Sequence, residues 1–253
     1  MNRQKYSSIL AYEIKKGLGE PVYLFFFILP FLISLLFRFG WPVAEDLLNV
    51  QFGFLLEPYR LWLGIIMLYL APQFLGMPLG FRLLEEKDRG TLTVFSVMPL
   101  GLAGYIGMLL VGTGLCIFFA QLGLGLILAP WYSEISLMTF LLIGLLMAIE
   151  GGIFALFLSL LANDKLQGMT MGKVLSLLTV IPVLVLVFPE SFATSIFPWL
   201  AAIFPWFWPV AIVYLELPIA NVFAWFIAFS IHLLWIFIII RVQLRSVSRG
   251  SRF

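Results

Sequence analysis

Long apolar runs alternate with short polar ones along the whole chain. A helix needs roughly 20 mostly apolar residues to cross a bilayer, and such runs fall at 22–37, 61–81, 105–128, 137–161, 174–188 and 218–240. The first and fifth are short. A further stretch, 192–215 (FATSIFPWLAAIFPWFWPVAIVYL), is equally apolar, but it carries Pro198, Pro205 and Pro209. With Trp199, Trp206 and Trp208 among them, these prolines suit broken helices near an interface better than a straight span. Ahead of the first span, Tyr6, Ile9, Leu10, Ile14 and Leu18 share one side at helical spacing, with Ser8, Tyr12, Lys15 and Lys16 opposite. Glu13 intrudes on the apolar side. This pattern predicts an amphipathic helix over 1–20 lying flat at the membrane surface. The expected fold is all-α: one polytopic domain over 1–253, with six spans and a proline-broken outer segment before the last.

Composition agrees. The chain is 62% hydrophobic and 11% charged, with a mean hydropathy of +1.08, whereas a soluble domain carries about 25% charged residues. Too little polar surface remains to cover a water-soluble particle. The first 20 residues lack the apolar core and small-residue cleavage site of a signal peptide. Of 15 basic residues, 13 fall on one side of a six-span topology and only Arg38 and Arg60 on the other. Cytoplasmic loops are the positive ones, so both termini are expected in the cytoplasm and the protein in the cell membrane.

One stretch stands apart: EEKDRGTLTVFSVMP, residues 85–99. Glu85 precedes Arg89 by one helical turn, a favourable ion pair, and Lys87 and Arg89 suit the negative end of a helix dipole. Gly90 is a natural left-handed stop and Thr91 a natural N-cap. A short helix follows, with Leu92, Phe95 and Met98 on one side and Pro99 helping to end it. The chain re-enters the membrane at Tyr105 after Gly101 and Gly104. The reading is a helix, a bend and a short lateral helix whose apolar side is displayed for another protein.

FRLLEEKDRGTLTVFSVMPLGLAGYIGMLL resembles the signature of the ABC-2 type permeases, the membrane subunits of ABC exporters, in which an acidic-basic cluster, Gly-Thr-Leu and a proline precede the third span. LANDKLQGMTMGKVL, residues 161–175, is similar to the loop between the fourth and fifth spans in small bacterial drug-exporter permeases. The likeness extends to the order of elements along the whole chain. It implies that Gly90 to Met98 form a coupling helix seated in a groove of an ATP-binding subunit, with Glu85, Glu86 and Arg89 as polar contacts at the joint. It also implies that 192–215 is a re-entrant segment dipping into the outer leaflet, and it implies two ATP-binding subunits, a second permease chain, identical or paralogous, and ATP with magnesium on the partner. A haem- or cytochrome-maturation permease shares this layout.

No nucleotide site is expected on this chain. A P-loop needs G-x-x-x-x-G-K-[ST] so that backbone amides cradle phosphate and the hydroxyl holds magnesium; GMTMGKV, from Gly168 to Val174, is one residue short and ends in Val. An enzyme would need a clustered acid, base and nucleophile, which the pattern does not offer. No cofactor, metal or nucleic-acid partner is expected, and the lone Cys116 reads as a small buried hydrophobe. An ion-coupled carrier is the alternative from another class. Within the spans, Glu150, His232 and Gln121 stand out. Glu150 lies near the middle of the fourth span, where a carboxylate is costly and must find a partner or keep its proton. His232 lies at nearly the same depth of the last span. The two are expected to face each other in the bundle, on the pathway or as a packing contact. Gly151 and Gly152 would admit a close neighbour, and Gly76 and Gly80 form a G-x-x-x-G at the inner end of the second span.

Overall fold

The structure is a computed structural model that describes residues 21–97, 101–131, 135–178, 200–214 and 221–250. Among these the chain is helical, without strands. Its helices are α1 (Pro21–Phe52), α2 (Arg60–Leu68), α3 (Leu70–Asp88), α4 (Thr91–Val97), α5 (Gly101–Ile127), α6 (Leu137–Leu161), α7 (Lys165–Leu178), α8 (Phe207–Tyr214) and α9 (Asn221–Gly250). Five stretches are long and apolar enough to cross a membrane: α1, Glu57–Asp88, α5, α6, and Val222–Arg245 within α9. Of the expected fifth span only residues 174–178 are described, as the end of α7. The expected interfacial helix over 1–20, and residues 192–199 of the outer segment, lie outside the described residues.

Two spans differ in outline from their apolar runs. α1 continues to Phe52, through Arg38, Pro30 and Pro42. A charge marks where a membrane ends but does not end a helix, and a helix inside a longer one tolerates proline at the cost of one hydrogen bond. The second span is interrupted at Tyr69 (φ −88°, ψ −3°), where the Tyr69 N–H turns to Ile66 O at 3.1 Å. Pro72 causes this: its ring clashes with the carbonyl four residues earlier and it offers no N–H.

α6 is the centre of the bundle, packed by α3, α5, α7, α8 and α9. Lipid tails are as apolar as leucine, so close backbone approach and polar contacts hold such helices together. The α3–α6 contact is the closest. A Cβ on Gly76 would stand 2.5 Å from Gly151 O, and one on Gly80 would stand 3.1 Å from Ala155 O. The G-x-x-x-G is therefore a helix contact, and its register rises along both helices, so α3 and α6 run in the same direction. Ser159 with Gln243 (2.9 Å) and Glu150 with His232 show the same for α6 and α9. Between α5 and α6 the order reverses, Gly125 meeting Phe140 and Gly144 meeting Phe118. Parallel α3, α6 and α9 with antiparallel α5 is the arrangement of these described spans. It gathers Arg82, Lys87, Lys165, Arg241 and Arg245 at one end of the bundle, with Arg60 at the other, its guanidinium donating to Pro130 O at 2.7 Å.

Between α7 and α9 the chain folds inward. Residues 200–208 turn through short backbone bonds such as Phe204 N–H to Ala201 O at 3.0 Å and Trp208 N–H to Pro205 O at 3.2 Å. Irregular backbone inside a membrane protein must have its polar groups satisfied by protein. Side chains do so here. Trp235 Nε1 donates to Ile203 O at 2.9 Å, Trp208 Nε1 to Ala202 O at 2.8 Å, and the Tyr69 hydroxyl to Trp206 O. Trp206 and Trp208 are buried, 2% exposed each. Trp131 packs against Trp41 and Phe37 at 5.5 and 6.4 Å between ring centres.

Candidate functional site

Two constellations of polar side chains stand out against the apolar bundle. The first is at its basic end. α3 ends at Asp88 with Arg89 as its C-cap, Gly90 follows at φ +68°, and α4 begins at once with Thr91. That φ places Gly90 in the left-handed region, where a Cβ is strained. Thr91 does not cap α4 with its oxygen as an acceptor. Its hydroxyl instead donates back to Glu86 O at 2.9 Å, tying the new helix to the last turn of the old one. Nor do Glu85 and Arg89 pair. Arg82 Nε meets Glu86 Oε1 at 3.1 Å, one turn apart, and Glu85 pairs with Lys165 of α7 at 2.5 Å. Both alternatives satisfy the same spacing rule or a longer-range partner, and Arg89 is left exposed.

The Tyr105 hydroxyl completes the joint. It donates to Glu86 Oε1 at 2.6 Å and accepts from Arg82 Nη2 at 3.0 Å. Three residues from the end of α3 and the start of α5 thus form a closed triangle of hydrogen bonds, all three charge-assisted. The Phe95 ring of α4 lies flat on the Tyr105 ring, 3.8 Å between centres and 8° between planes. Leu92, 2% exposed, packs with Leu83, Leu102, Tyr105 and Ile239. The apolar side of α4 is therefore not displayed: it fastens α4 to α3, α5 and α9. Val94, 52% exposed, lies on the open side. Met98 and Pro99 lie outside the described residues. A cavity of about 190 Å³ opens beside the joint, lined by Arg82, Glu85, Glu86, Arg89, Thr91, Phe95 and Tyr105.

The neighbouring turn between α6 and α7 is tied to the same place. Lys87 Nζ donates to Ala162 O, the C-cap of α6, at 3.3 Å, a cation at the negative end of a helix. Asp164 accepts from the Gln167 N–H at 2.7 Å and Gln167 Oε1 accepts from the Asn163 N–H at 2.8 Å, a reciprocal cap that starts α7. Sequence reasoning placed Glu85, Glu86, Arg89, Gly90 and Thr91 at this joint but missed Arg82, Tyr105 and Lys165. The Arg82–Glu86 spacing was there to be read; Tyr105 and Lys165 gave no local signal.

The second constellation is intramembrane. Glu150 of α6 and His232 of α9 are 1% and 0% exposed, and Glu150 Oε2 faces His232 Nε2 at 3.9 Å. His232 Nδ1 lies 2.7 Å from Ala228 O. The structure brings these two together as their depths imply. Gln121 of α5 is buried too but does not join them. It lies between Phe118 and Gly125, which meet Gly144 and Phe140 of α6, more than a turn away from Glu150. Gln121 Oε1 has no hydrogen-bond partner among the described residues. Cys116 is exposed on α5, beside the exposed Leu115 and Phe119, and so is on an outer face and not in the core. No group of three or more His, Cys, Asp or Glu among the described residues has a metal-binding arrangement.

An apolar helical bundle with parallel and antiparallel spans, charges gathered at one end and a buried acid–base pair within defines a multi-pass membrane protein. Residues 13–240 match a family model described as fluoroquinolones export permease protein Rv2686c-like. The chain belongs to that family of export permeases. No curated protein and no solved structure matches it.

Proposed function

We propose that this chain is the membrane-spanning permease of an ABC exporter of the ABC-2 type, and that α4 is its coupling helix. In this reading the basic end is cytoplasmic, with both termini there, and 192–215 dips from the outer side of the cell membrane. Two permease chains work with two ATP-binding subunits, which carry the ATP and magnesium; the chain hydrolyses nothing itself. The family description suggests a flat, aromatic, amphiphilic drug as cargo.

One observation carries this reading: the way α4 is mounted. A loop that only anchored topology would need no closed polar triangle and no stacked ring pair. α4 is held by Gly90 to α3, by Phe95 on Tyr105 to α5, and by Leu92 with Ile239 to α9. A displacement of α4 is thus shared by three spans at once. Closure of ATP-loaded subunits against the open side of α4 would shift α3, α5 and α9 together about α6, and so alternate the access of the pathway.

The test is co-purification with an ABC ATP-binding subunit encoded beside the gene, comparing the natural chain with Val94→Glu. The exposed Val94 makes no core contact, so the variant should fold, yet release the subunit and lose drug-stimulated hydrolysis. Drug export from vesicles that persists without any ATP-binding subunit, driven by an ion gradient, would overturn the reading in favour of an ion-coupled carrier. Export of haem and no drug would assign the maturation type instead.

A further inference from the structure

We propose that Glu150 and His232 together form a binding site for a single proton, held in the buried seam between α6 and α9. The inference is independent of whether ATP drives transport.

The geometry of donors and acceptors leads to it. Ala228 O can only accept, so His232 Nδ1 at 2.7 Å must carry a hydrogen and donate it. In the neutral ring, Nε2 is then a bare acceptor. It faces Glu150 Oε2 at 3.9 Å, and neither atom has a hydrogen-bond partner among the described residues. If Glu150 were ionised and His232 neutral, two acceptors would confront one another with nothing between them. The gap is longer than a formed hydrogen bond and too short to seat a bridging water in ordinary geometry. One proton resolves the conflict. It rides on Nε2, giving imidazolium against carboxylate, or on Oε2, giving a neutral carboxyl against a neutral ring. Both arrangements have zero net charge. Removing the proton leaves a naked anion and adding a second leaves a naked cation, and both are costly in a membrane interior. The proton belongs to the pair and not to either residue.

Among the described residues no neighbouring charge takes over this role. Glu150 and His232 are the only acidic or basic side chains buried among the described residues. The charges of α3, from Arg82 to Asp88, begin ten residues beyond Pro72, which lies against Gly151. On α5 the titratable groups are Tyr105, engaged at the basic end, and the outward Cys116. On α7 they are the exposed Lys165 and Lys173, and on α8 only Tyr214, at its end. α4 has none. On α9 itself, Arg241 lies nine residues on, over the Phe237 ring at 4.2 Å. Because the pair is walled off in this arrangement, its proton exchanges with water only when α9 parts from α6, which links proton occupancy to the state of that seam.

The chain has one histidine, so a ¹⁵N-histidine label with a histidine-free purification tag reports one ring. The full chain is placed in lipid nanodiscs at neutral pH. Ring nitrogen resonances show whether one or both nitrogens are protonated, and infrared spectra show whether a carboxylic-acid C=O band is present that Glu150→Gln abolishes. The expected result is one proton in one of two places: a doubly protonated ring without the band, or a singly protonated ring with it. A singly protonated ring with no such band, meaning an ionised Glu150, overturns the proposal. So does a doubly protonated ring with the band. Glu150→Gln should leave a singly protonated ring; should that variant fail to fold, the measurements on the natural chain decide alone, the band then being assigned by ¹³C-glutamate labelling.

Discussion

Gly76→Ala places a methyl group where backbone already stands. Its Cβ would lie 2.5 Å from Gly151 O, with the Gly151 carbonyl carbon and Cα at 3.2 and 3.3 Å. None of these atoms can swing aside as a side chain would. Reaching an ordinary contact of about 3.4 Å means moving α3 and α6 apart by roughly 0.9 Å along that line. A gap of 0.5–1 Å already forfeits about a quarter to a half of the dispersion energy of the atoms it separates, and overpacking of this kind costs about 1–3 kcal/mol. Against this, glycine to alanine in a helix interior gains up to about 1 kcal/mol of propensity. Gly107→Ala on α5 isolates the two effects, because nothing lies within 4 Å of its added Cβ. The propensity gain is common to both variants, so their difference reports the clash. Unfolding in mixed micelles, followed by tryptophan fluorescence, should find Gly76→Ala less stable than Gly107→Ala by about 1–3 kcal/mol. Equal stability would refute the close α3–α6 approach.

Gly90→Ala puts a Cβ at φ +68° and should cost about 1–2 kcal/mol; Gly90→Asn should cost less, because asparagine tolerates that region, and the order of the two melting temperatures checks it. Tyr105→Phe keeps the stacked ring but removes the hydroxyl joining Arg82 to Glu86, with an expected loss of about 1–3 kcal/mol; Phe95→Ala should give a comparable loss by a different route, and a double-mutant cycle measures their coupling. Glu85 and Lys165 are 37% and 51% exposed, so their pair is screened. A charge-swapped double variant should restore most of the 0–1 kcal/mol or so that either single reversal costs, with the difference vanishing in high salt.

How much could be read beforehand depended on what the bilayer makes visible. Charge inside an apolar run is conspicuous, and depth is simple arithmetic on helix rise, which is why Glu150 and His232 could be matched without a structure. The bend was equally legible, since glycine is the residue best suited to the left-handed stop at position 90. Which face of a span meets protein was not. In water a helix announces its buried side by polar residues on the other, but in lipid both sides are apolar, so Cys116 was assigned to the wrong environment. Tyr105 was invisible for a related reason. A tyrosine at a membrane edge looks like an interface residue, and its partner Glu86 lies across a reversal of the chain.

The two polar constellations are linked through α9, which packs on α4 at the joint and also bears His232. The seam between α6 and α9 carries Glu150 with His232 near mid-depth and, nearer the basic end, the buried Gln243 Nε2 donating to Ser159 Oγ at 2.9 Å. Elsewhere among the described residues the spans pack on α6 through glycine and apolar surface. A hydrogen-bonded or proton-sharing contact does not slide: it is made or broken, and breaking it inside a membrane leaves polar atoms that must find water or new partners. α9 is also one of the three spans that hold α4, through Ile239 and Leu92. Force applied at α4 therefore reaches a seam with two discrete polar latches, one of them carrying a proton. A helix held in this way has few stable positions, and a small displacement at one end of it is converted into a choice between them.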